Sequence, residues 1–316
     1  MSERGRITWP SASDPLWELD WELDPPPRSD GLTVRNVRYR GQQVLYRGSL
    51  PSLTSINMPG AGQFHTWSLN YATAEYRAGT PGKKVSVYTG YYGDTSDVGL
   101  ETHYDVPMGG GTQRWTQRWR FWADGQIQPQ LFSYYTRDTE QNWSHMPDWR
   151  LDFDVTGASD DLALLYDPTE TTGHGWGKGW IPERNERRWW VYSPEGRMHS
   201  QGPTGPSAGP AARTPGTAVR WAVMDKAAPN RGYMIAPRFS DHYAVRYVDI
   251  VRYRGDETAA VGTPYRYNRA FYQNGEDTEW EDAVVWYGGF MWHREEGTPS
   301  KRHLSEGPTL WPFRYH

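Results

Sequence analysis

The sequence predicts an all-β protein built as one large antiparallel β-sandwich, with few and short helices. Runs of alternating apolar and polar residues recur along the chain, whereas amphipathic helical windows are rare and brief. Val, Tyr, Trp and Thr dominate these runs, and Gly, Pro and Asp residues punctuate them. A length of 316 residues suits one large domain of this kind. Because neither a repeat nor a shift in composition marks a boundary, we expect a single domain over 1–316.

The predicted strands follow one another at short intervals. Residues 31–50 form two strands around a turn at Gly41, and residues 113–136 form a second pair that turns at 123–126. Further strands are expected at 83–93, 149–157, 187–193 and 217–225. The segment 194–216 is rich in Gly, Pro, Ser and Ala, and it is predicted to be a flexible loop because it has little apolar surface to bury.

The run QRWTQRWRFW (113–122) shows the alternation most clearly. One predicted face carries Trp115, Gln117, Trp119 and Phe121, and the other carries Arg114, Arg118, Arg120 and Trp122. We interpret it as a half-buried strand whose arginines extend towards water. The acidic runs at 158–161 and 274–282 are expected to be solvated, with Asp282 as the exception.

Charge and composition exclude several classes of function. The net charge of −4 and the lack of a long basic run argue against nucleic acid or an anionic membrane surface as a partner. The chain has no cysteine, which excludes disulfides and thiolate chemistry. No signal segment and no apolar stretch of membrane-spanning length are found, so a cytoplasmic location is expected. The 18 Trp, 21 Tyr and 8 Phe suit grooves or pockets lined by rings.

Six segments, taken in order, resemble the catalytic domain of copper amine oxidases. They are GLTVRNVRYRGQQVLYRGSL (31–50), WSLNYATAEY (67–76), KVSVYTGYYGDT (84–95), WRLDFD (149–154), RWAVMDKAAPNRGYMIAP (220–237) and DAVVWYGGFMWH (282–293). The last is the most specific, because it keeps the family's spacing between Asp282 and His293. The resemblance implies a large β-sandwich, a copper ion bound by three histidines, and a topaquinone made from a tyrosine of the chain.

The resemblance also indicates that the metal site is incomplete. His145 and His293 match the second and third copper ligands, but the first falls on Trp143. An indole N–H only donates hydrogen bonds and cannot bind a metal. A third ligand would have to come from His65 or His103. Copper is therefore a candidate cofactor rather than an expected one.

The residues that the quinone chemistry needs are missing as well. The quinone precursor falls on Gln113, and residues 105–133 contain no tyrosine. The tyrosine that hydrogen-bonds the quinone falls on Asn57 or its neighbour Met58. Without a phenol near the metal there is nothing to oxidise to a quinone.

The catalytic base of the family is also absent, while its gate residue is kept. The aspartate that takes a proton from the substrate falls on Thr73 or its neighbour Ala72, and neither side chain offers a basic oxygen. The gate tyrosine is kept as Tyr71. The resemblance thus implies the scaffold of an amine oxidase without its cofactor.

The leading hypothesis is a quinone-free enzyme of specialised metabolism that transforms a bulky apolar, aromatic or polycyclic small molecule without redox chemistry. The reaction would be a cyclisation, an isomerisation or an addition–elimination. The candidate acid/base residues are His145, His293 and Tyr71. The candidate substrate-binding residues are Asn57, Thr73, Gln113, Trp115 and Trp143.

Other interpretations remain open from the sequence. His145 and His293 serve equally well as satisfied interior imidazoles. A copper-dependent oxidase or oxygenase that uses these two histidines is one alternative, and a non-catalytic ligand-binding or partner protein is another. The family forms dimers through long hairpin arms, and the corresponding segments are short here, so a homodimer is only a candidate assembly.

Overall fold

A computed structural model describes the backbone of most of the chain and most of the side chains within it. The described residues are 3–23, 31–57, 64–67, 75–77, 82–90, 96–108, 111–135, 143–166, 180–184, 187–190, 220–225, 231–236, 243–253, 276–292 and 304–313. The predicted loop at 194–216 lies outside them.

The described residues form strands, turns and bends and contain no helix, which confirms the all-β prediction. None of them forms a helix that could cross a membrane. The strands are β1 Arg4–Pro10, β2 Pro15–Leu23, β3 Leu32–Tyr39, β4 Gln42–Asn57, β5 Phe64–Trp67, β6 Glu75–Arg77, β7 Val85–Thr89, β8 Asp97–Met108, β9 Gly111–Trp122, β10 Ile127–Tyr135, β11 Trp143–Phe153, β12 Asp161–Tyr166, β13 Trp180–Glu183, β14 Arg187–Trp190, β15 Arg220–Asp225, β16 Gly232–Ala236, β17 Tyr243–Arg252, β18 Ala283–Trp292, β19 Leu304–Glu306 and β20 Thr309–Phe313.

The strands belong to two antiparallel sheets. The first sheet has nine strands in the order β1-β2-β3-β4-β11-β18-β17-β14, with β5 beside β4. The second sheet has eleven strands in the order β13-β12-β15-β16-β20-β10-β9-β8-β6, with β19 beside β10 and β7 beside β8. Strands β4 and β11, far apart in sequence, run side by side at the centre of the first sheet.

Both hairpins that the sequence predicts are confirmed. β3 turns into β4 at Gly41, where φ is +77°, and β9 turns into β10 through Gly125, where φ is +91°. Glycine adopts this left-handed backbone without steric cost. The β1–β2 hairpin is not among the predicted strands, although β2 alternates buried and half-buried residues along its length.

The core lies between the two sheets and is built largely from rings. Trp119 of β9 and Trp149 of β11 are both fully buried and meet edge to face, with ring centroids 5.5 Å apart. This contact connects the second sheet to the first. Its edge-to-face geometry suits the charge distribution of aromatic rings. Gly48 of β4 leaves the space that the Trp119 ring fills, because a Cβ atom there would lie 2.6 Å from the indole.

The two faces of β9 are as predicted, but the arginines are not solvated. Arg118 and Arg120 are 5% and 4% exposed and pair with Glu101 and Asp97 of β8. Only Arg114 extends towards water, with its side chain 40% exposed beside Asp105. The expectation of extended arginines is therefore wrong for two of the three, because carboxylates across the strand pair compensate their buried charge.

These pairs give a test of the buried face. Replacing Asp97 by asparagine is expected to lower the free energy of unfolding by about 3 kcal/mol, because the buried Arg120 guanidinium loses this carboxylate. Arg6→Gln serves as the control and is expected to cost less than about 1 kcal/mol, since the side chains of Arg6 and its partner Glu18 are 60% and 26% exposed. Urea unfolding followed by tryptophan fluorescence measures both. Equal costs for the two variants would contradict this view of the face.

Candidate functional site

His145 lies near the start of β11 and faces the interior between the sheets. Its backbone pairs with Ser55 of β4 on one side and Met291 of β18 on the other. The side chain is fully buried. Because side chains alternate along a strand, His145 shares the inner face of β11 with Trp149 and the rest of the aromatic core.

Two side chains of the second sheet meet this imidazole. The carboxamide nitrogen of Gln113 lies 3.4 Å from His145 Nε2 and donates to Ser133 Oγ at 3.3 Å. The Trp115 ring stands edge-on to the imidazole, with centroids 4.6 Å apart and planes at 87°. Gln113 and Trp115 are both essentially buried. The structure therefore brings three of the predicted site residues together, one from the first sheet and two from the second.

The other predicted site residues are described in part or not at all. Asn57 and Trp143 pair with each other at the ends of β4 and β11, two positions from the Ser55–His145 pair, but only their backbones are described. Tyr71, Thr73 and His293 lie outside the described residues.

The two histidines proposed as a third metal ligand occupy different places. His65 of β5 pairs with Ser55, so it lies one strand beyond β4 in the row of His145. His103 of β8 faces away from the core, where Nδ1 lies 2.7 Å from Thr116 Oγ1 and Nε2 lies 2.9 Å from Glu101 Oε1. His103 is therefore engaged on the outer face and does not approach His145.

Glu101 contacts both His103 and Arg118 on that outer face. Burial alone would raise its pKa, but the hydrogen bond with His103 and the charge of Arg118 outweigh burial and lower it. The carboxylate thus stays ionised and positions both partners. We assign this cluster a structural role.

The side chains described in contact with His145, a carboxamide and an indole, offer no phenol for the quinone cofactor of the amine oxidases. A carboxamide, Gln113, faces the imidazole where a phenol would be needed, and amide groups are not oxidised to quinones. His145 is the single imidazole described at this place, and an indole residue occupies the strand position two before it. No reaction step is therefore assigned to a quinone or to copper.

A second polar cluster lies where β11 ends and β18 begins. Oxygen atoms of Asp152, Asp154 and Asp282 all lie within 4.8 Å of one another. Asp161, at the start of β12, is fully buried and accepts the backbone N–H of Ala283 at 3.3 Å. Grouped carboxylate oxygens are the ligands of hard cations such as Ca²⁺, so this triad can hold such an ion.

Burial raises the pKa of three carboxyl groups in this cluster, and neighbouring carboxylates add to the rise at two of them. Burial, followed by the charges of Asp152 and Asp154, raises the pKa of Asp282 to about 8. Burial also raises the pKa of Asp154 to about 6, against the hydrogen bond from Gln43. Asp161 has a pKa well above its usual range, because of burial and then because of Asp154 and Asp282.

The sequence analysis does not identify this cluster, and it predicts Asp161 wrongly as solvated. Asp161 is buried where β12 of the second sheet meets the start of β18 of the first. Its backbone carbonyl accepts the N–H of Trp280 at 2.9 Å, and its side chain accepts the N–H of Ala283. The alternation of Asp152 and Asp154 around Phe153 is a signal that points both carboxylates to one face. The contribution of Asp282, more than a hundred residues away, carries no such local signal.

Comparisons with known proteins show the fold and not the activity. The copper-containing benzylamine oxidase from Hansenula polymorpha matches with a TM-score of 0.64 at 13% identity, over 98% of this chain and 60% of that one. An Aspergillus nidulans amine oxidase matches with a TM-score of 0.62 at 14% identity, over 95% and 51%. The Pichia pastoris lysyl oxidase gives 0.59 at 13% identity, again over 95% and 51%.

These likenesses extend over nearly the whole chain but over little more than half of each oxidase. No family model matches the sequence, and no curated protein matches it either. Because the identity is so low, these likenesses show only that the chain shares the fold of copper amine oxidases. Because one fold can host many functions, the chemistry of this protein has to be inferred from the side chains around His145.

Proposed function

We propose that the chain is a quinone-free enzyme that binds a bulky aromatic or apolar small molecule between its two sheets and transforms it by proton transfer at His145. The observation that carries the proposal is the contact of Gln113 with His145, which sets an inert amide beside the imidazole. The resemblance to amine oxidases implies that the quinone precursor would stand at this position. Support for an enzyme comes from the fold, which the chain shares with amine oxidases.

The geometry suits acid/base chemistry. In the hydrogen bond from the Gln113 amide, His145 Nε2 is the acceptor, so it carries a lone pair rather than a proton. A neutral imidazole of this kind is suited to take a proton from a bound substrate and to return it elsewhere. Cyclisation, isomerisation and addition–elimination all need such a transfer. The edge-on Trp115 ring contributes an apolar wall beside it.

Proton exchange with a model ketone tests this proposal directly. The protein is incubated with 2-tetralone in D₂O, and replacement of the α-protons is followed by NMR. We expect exchange above the buffer rate in the wild type and a loss of about 100-fold in His145→Gln, because the base is removed. His103→Gln is the matched control, since this histidine lies on the outer face of β8, and it is expected to retain the activity.

Two outcomes would overturn the proposal. Exchange at the buffer rate in the wild type would exclude proton transfer to this class of ketone, and equal loss in both histidine variants would exclude His145 as the specific base. The copper-dependent oxidase is tested in parallel by loading the protein with Cu²⁺, removing free metal by dialysis and measuring bound copper by elemental analysis. Near-stoichiometric copper would favour that alternative.

A further inference from the structure

Gln113 has one polar atom for which the described residues supply no hydrogen-bond partner. Its two amide hydrogens are directed to Ser133 Oγ and His145 Nε2. Its carbonyl oxygen, Oε1, is buried and accepts no hydrogen bond from any residue that the structure describes. Burying such an acceptor without a donor costs stability, so buried amide oxygens of this kind are nearly always matched.

Gln117 lies four residues further along β9, on the same face. It shows how a glutamine with a purely structural role is hydrogen-bonded in this core. Its Oε1 accepts the backbone N–H of Leu32 at 2.8 Å and the Tyr104 hydroxyl at 3.0 Å, and its Nε2 donates to the Leu32 carbonyl at 2.9 Å. Both ends of that carboxamide are used. The unmatched end of Gln113 thus sets it apart from Gln117 on the same face of β9, although Gln130, on the outer face of β10, also has an unmatched carboxamide oxygen among the described residues.

From this contrast we infer that the ligand of the proposed site carries a hydroxyl group, phenolic or enolic, that donates its hydrogen to Gln113 Oε1. The inference rests on the proposed function and deepens it. A hydroxyl held by Gln113 lies next to His145 Nε2, the group proposed to move protons. The substrate class is therefore a hydroxylated aromatic or polycyclic compound rather than a hydrocarbon or an ether.

The orientation of the Gln113 carboxamide follows from the number of its polar atoms that each orientation leaves without a partner. The reverse orientation of the carboxamide would let its oxygen accept from Ser133 and from a protonated His145 Nε2, but it would leave both amide N–H groups without an acceptor. One unmatched oxygen costs less than two unmatched donors. The indole N–H of Trp115 is unmatched too, yet so are those of Trp149 and Trp221 elsewhere in the core, so it does not single out a ligand.

A pair of probes that differ only in this hydrogen tests the inference. Binding of 2-naphthol and of 2-methoxynaphthalene to the full chain is measured by calorimetry for the wild type, Gln113→Leu and Gln130→Leu. We expect the wild type to bind the naphthol about three- to tenfold more tightly than its methyl ether. In Gln113→Leu the two affinities should agree within about twofold, because the acceptor is gone.

Gln130→Leu is the matched control. Gln130 lies on the outer face of β10, is 7% exposed, and also has an unmatched carboxamide oxygen among the described residues. Its replacement removes the same chemical group away from His145 and should leave the preference for the naphthol intact. Thermal melting of each variant verifies that it is folded.

Each other outcome overturns a defined part of the argument. If the naphthol and its ether bind the wild type equally, Gln113 Oε1 is matched by a buried water molecule and the inference fails, while an aromatic site remains. If Gln113→Leu keeps the wild-type preference, the hydroxyl is held elsewhere and the inference fails. If neither probe binds, the site does not accept aromatic molecules, and the proposed function fails with it.

Discussion

Replacing Gln117 by leucine is expected to lower the free energy of unfolding by about 2–6 kcal/mol, whereas the same change at Gln113 leaves it unchanged or raises it by up to about 1 kcal/mol. Loss of Gln117 removes the partner of the Leu32 N–H and of the Tyr104 hydroxyl, both in the core. Each polar group that is buried without a partner costs about 1–3 kcal/mol. Loss of Gln113 removes an oxygen that is already unmatched, together with two long hydrogen bonds of 3.3 and 3.4 Å.

The comparison separates a residue kept for stability from one kept for function. The two glutamines share a strand, a face and a side chain, so replacement by leucine makes the same change of volume and shape at both buried sites. Urea unfolding by far-UV circular dichroism and tryptophan fluorescence measures both variants against the wild type. A cost at Gln113 comparable to that at Gln117 would mean that Gln113 stabilises the fold, and the case for a ligand there would be lost.

The second large effect is expected at the cluster of Asp152, Asp154 and Asp282. With chelator present, the melting temperature should fall on the order of 5–10 °C as the pH rises from 5 to 9. The pKa of Asp282 is raised to about 8 and that of Asp154 to about 6, so the folded state holds protons that the unfolded chain has already released. Stability from these groups is full below about pH 4 and is lost as pH rises through 6 and then 8.

Calcium should reverse that loss. A bound divalent cation offsets most of the negative charge of the three carboxylates, so millimolar Ca²⁺ is expected to raise the melting temperature by several degrees at pH 8 and to have little effect at pH 5, where Asp282 is protonated. Asp282→Asn should melt higher than the wild type in chelator at pH 8 and should not respond to Ca²⁺.

The neighbouring acidic residue provides the control for this experiment. Glu281 pairs with Arg252 at 2.9 Å outside the triad, so Glu281→Gln should keep the response to Ca²⁺. Differential scanning calorimetry at pH 5 and pH 8, with EGTA or CaCl₂, gives all four conditions. A melting temperature that rises with pH in chelator would show that the folded state does not favour the protonated forms of Asp154 and Asp282.

The alternation of residue types by itself determined the strands and their faces. The run 113–122 placed Trp115, Gln117, Trp119 and Phe121 in the core correctly, because the two-residue period of a strand is a local property. The turns at Gly41 and Gly125 were predictable for the same reason, since one residue type tolerates the left-handed backbone. The likeness to the amine-oxidase fold could be drawn from the order of such segments, and the solved structures confirm it.

Only the tertiary structure decided which polar residues have partners, because those partners are remote in sequence. Gln117 and Gln113 are alike in their local setting, yet Leu32 is 85 residues from the first and His145 is 32 residues from the second. Likewise, the sequence could not show that Arg118 and Arg120 are buried in ion pairs, or that Asp282 joins Asp152 and Asp154. A strand pattern fixes the face to which a side chain points, and the packing of the opposite sheet fixes what it meets there.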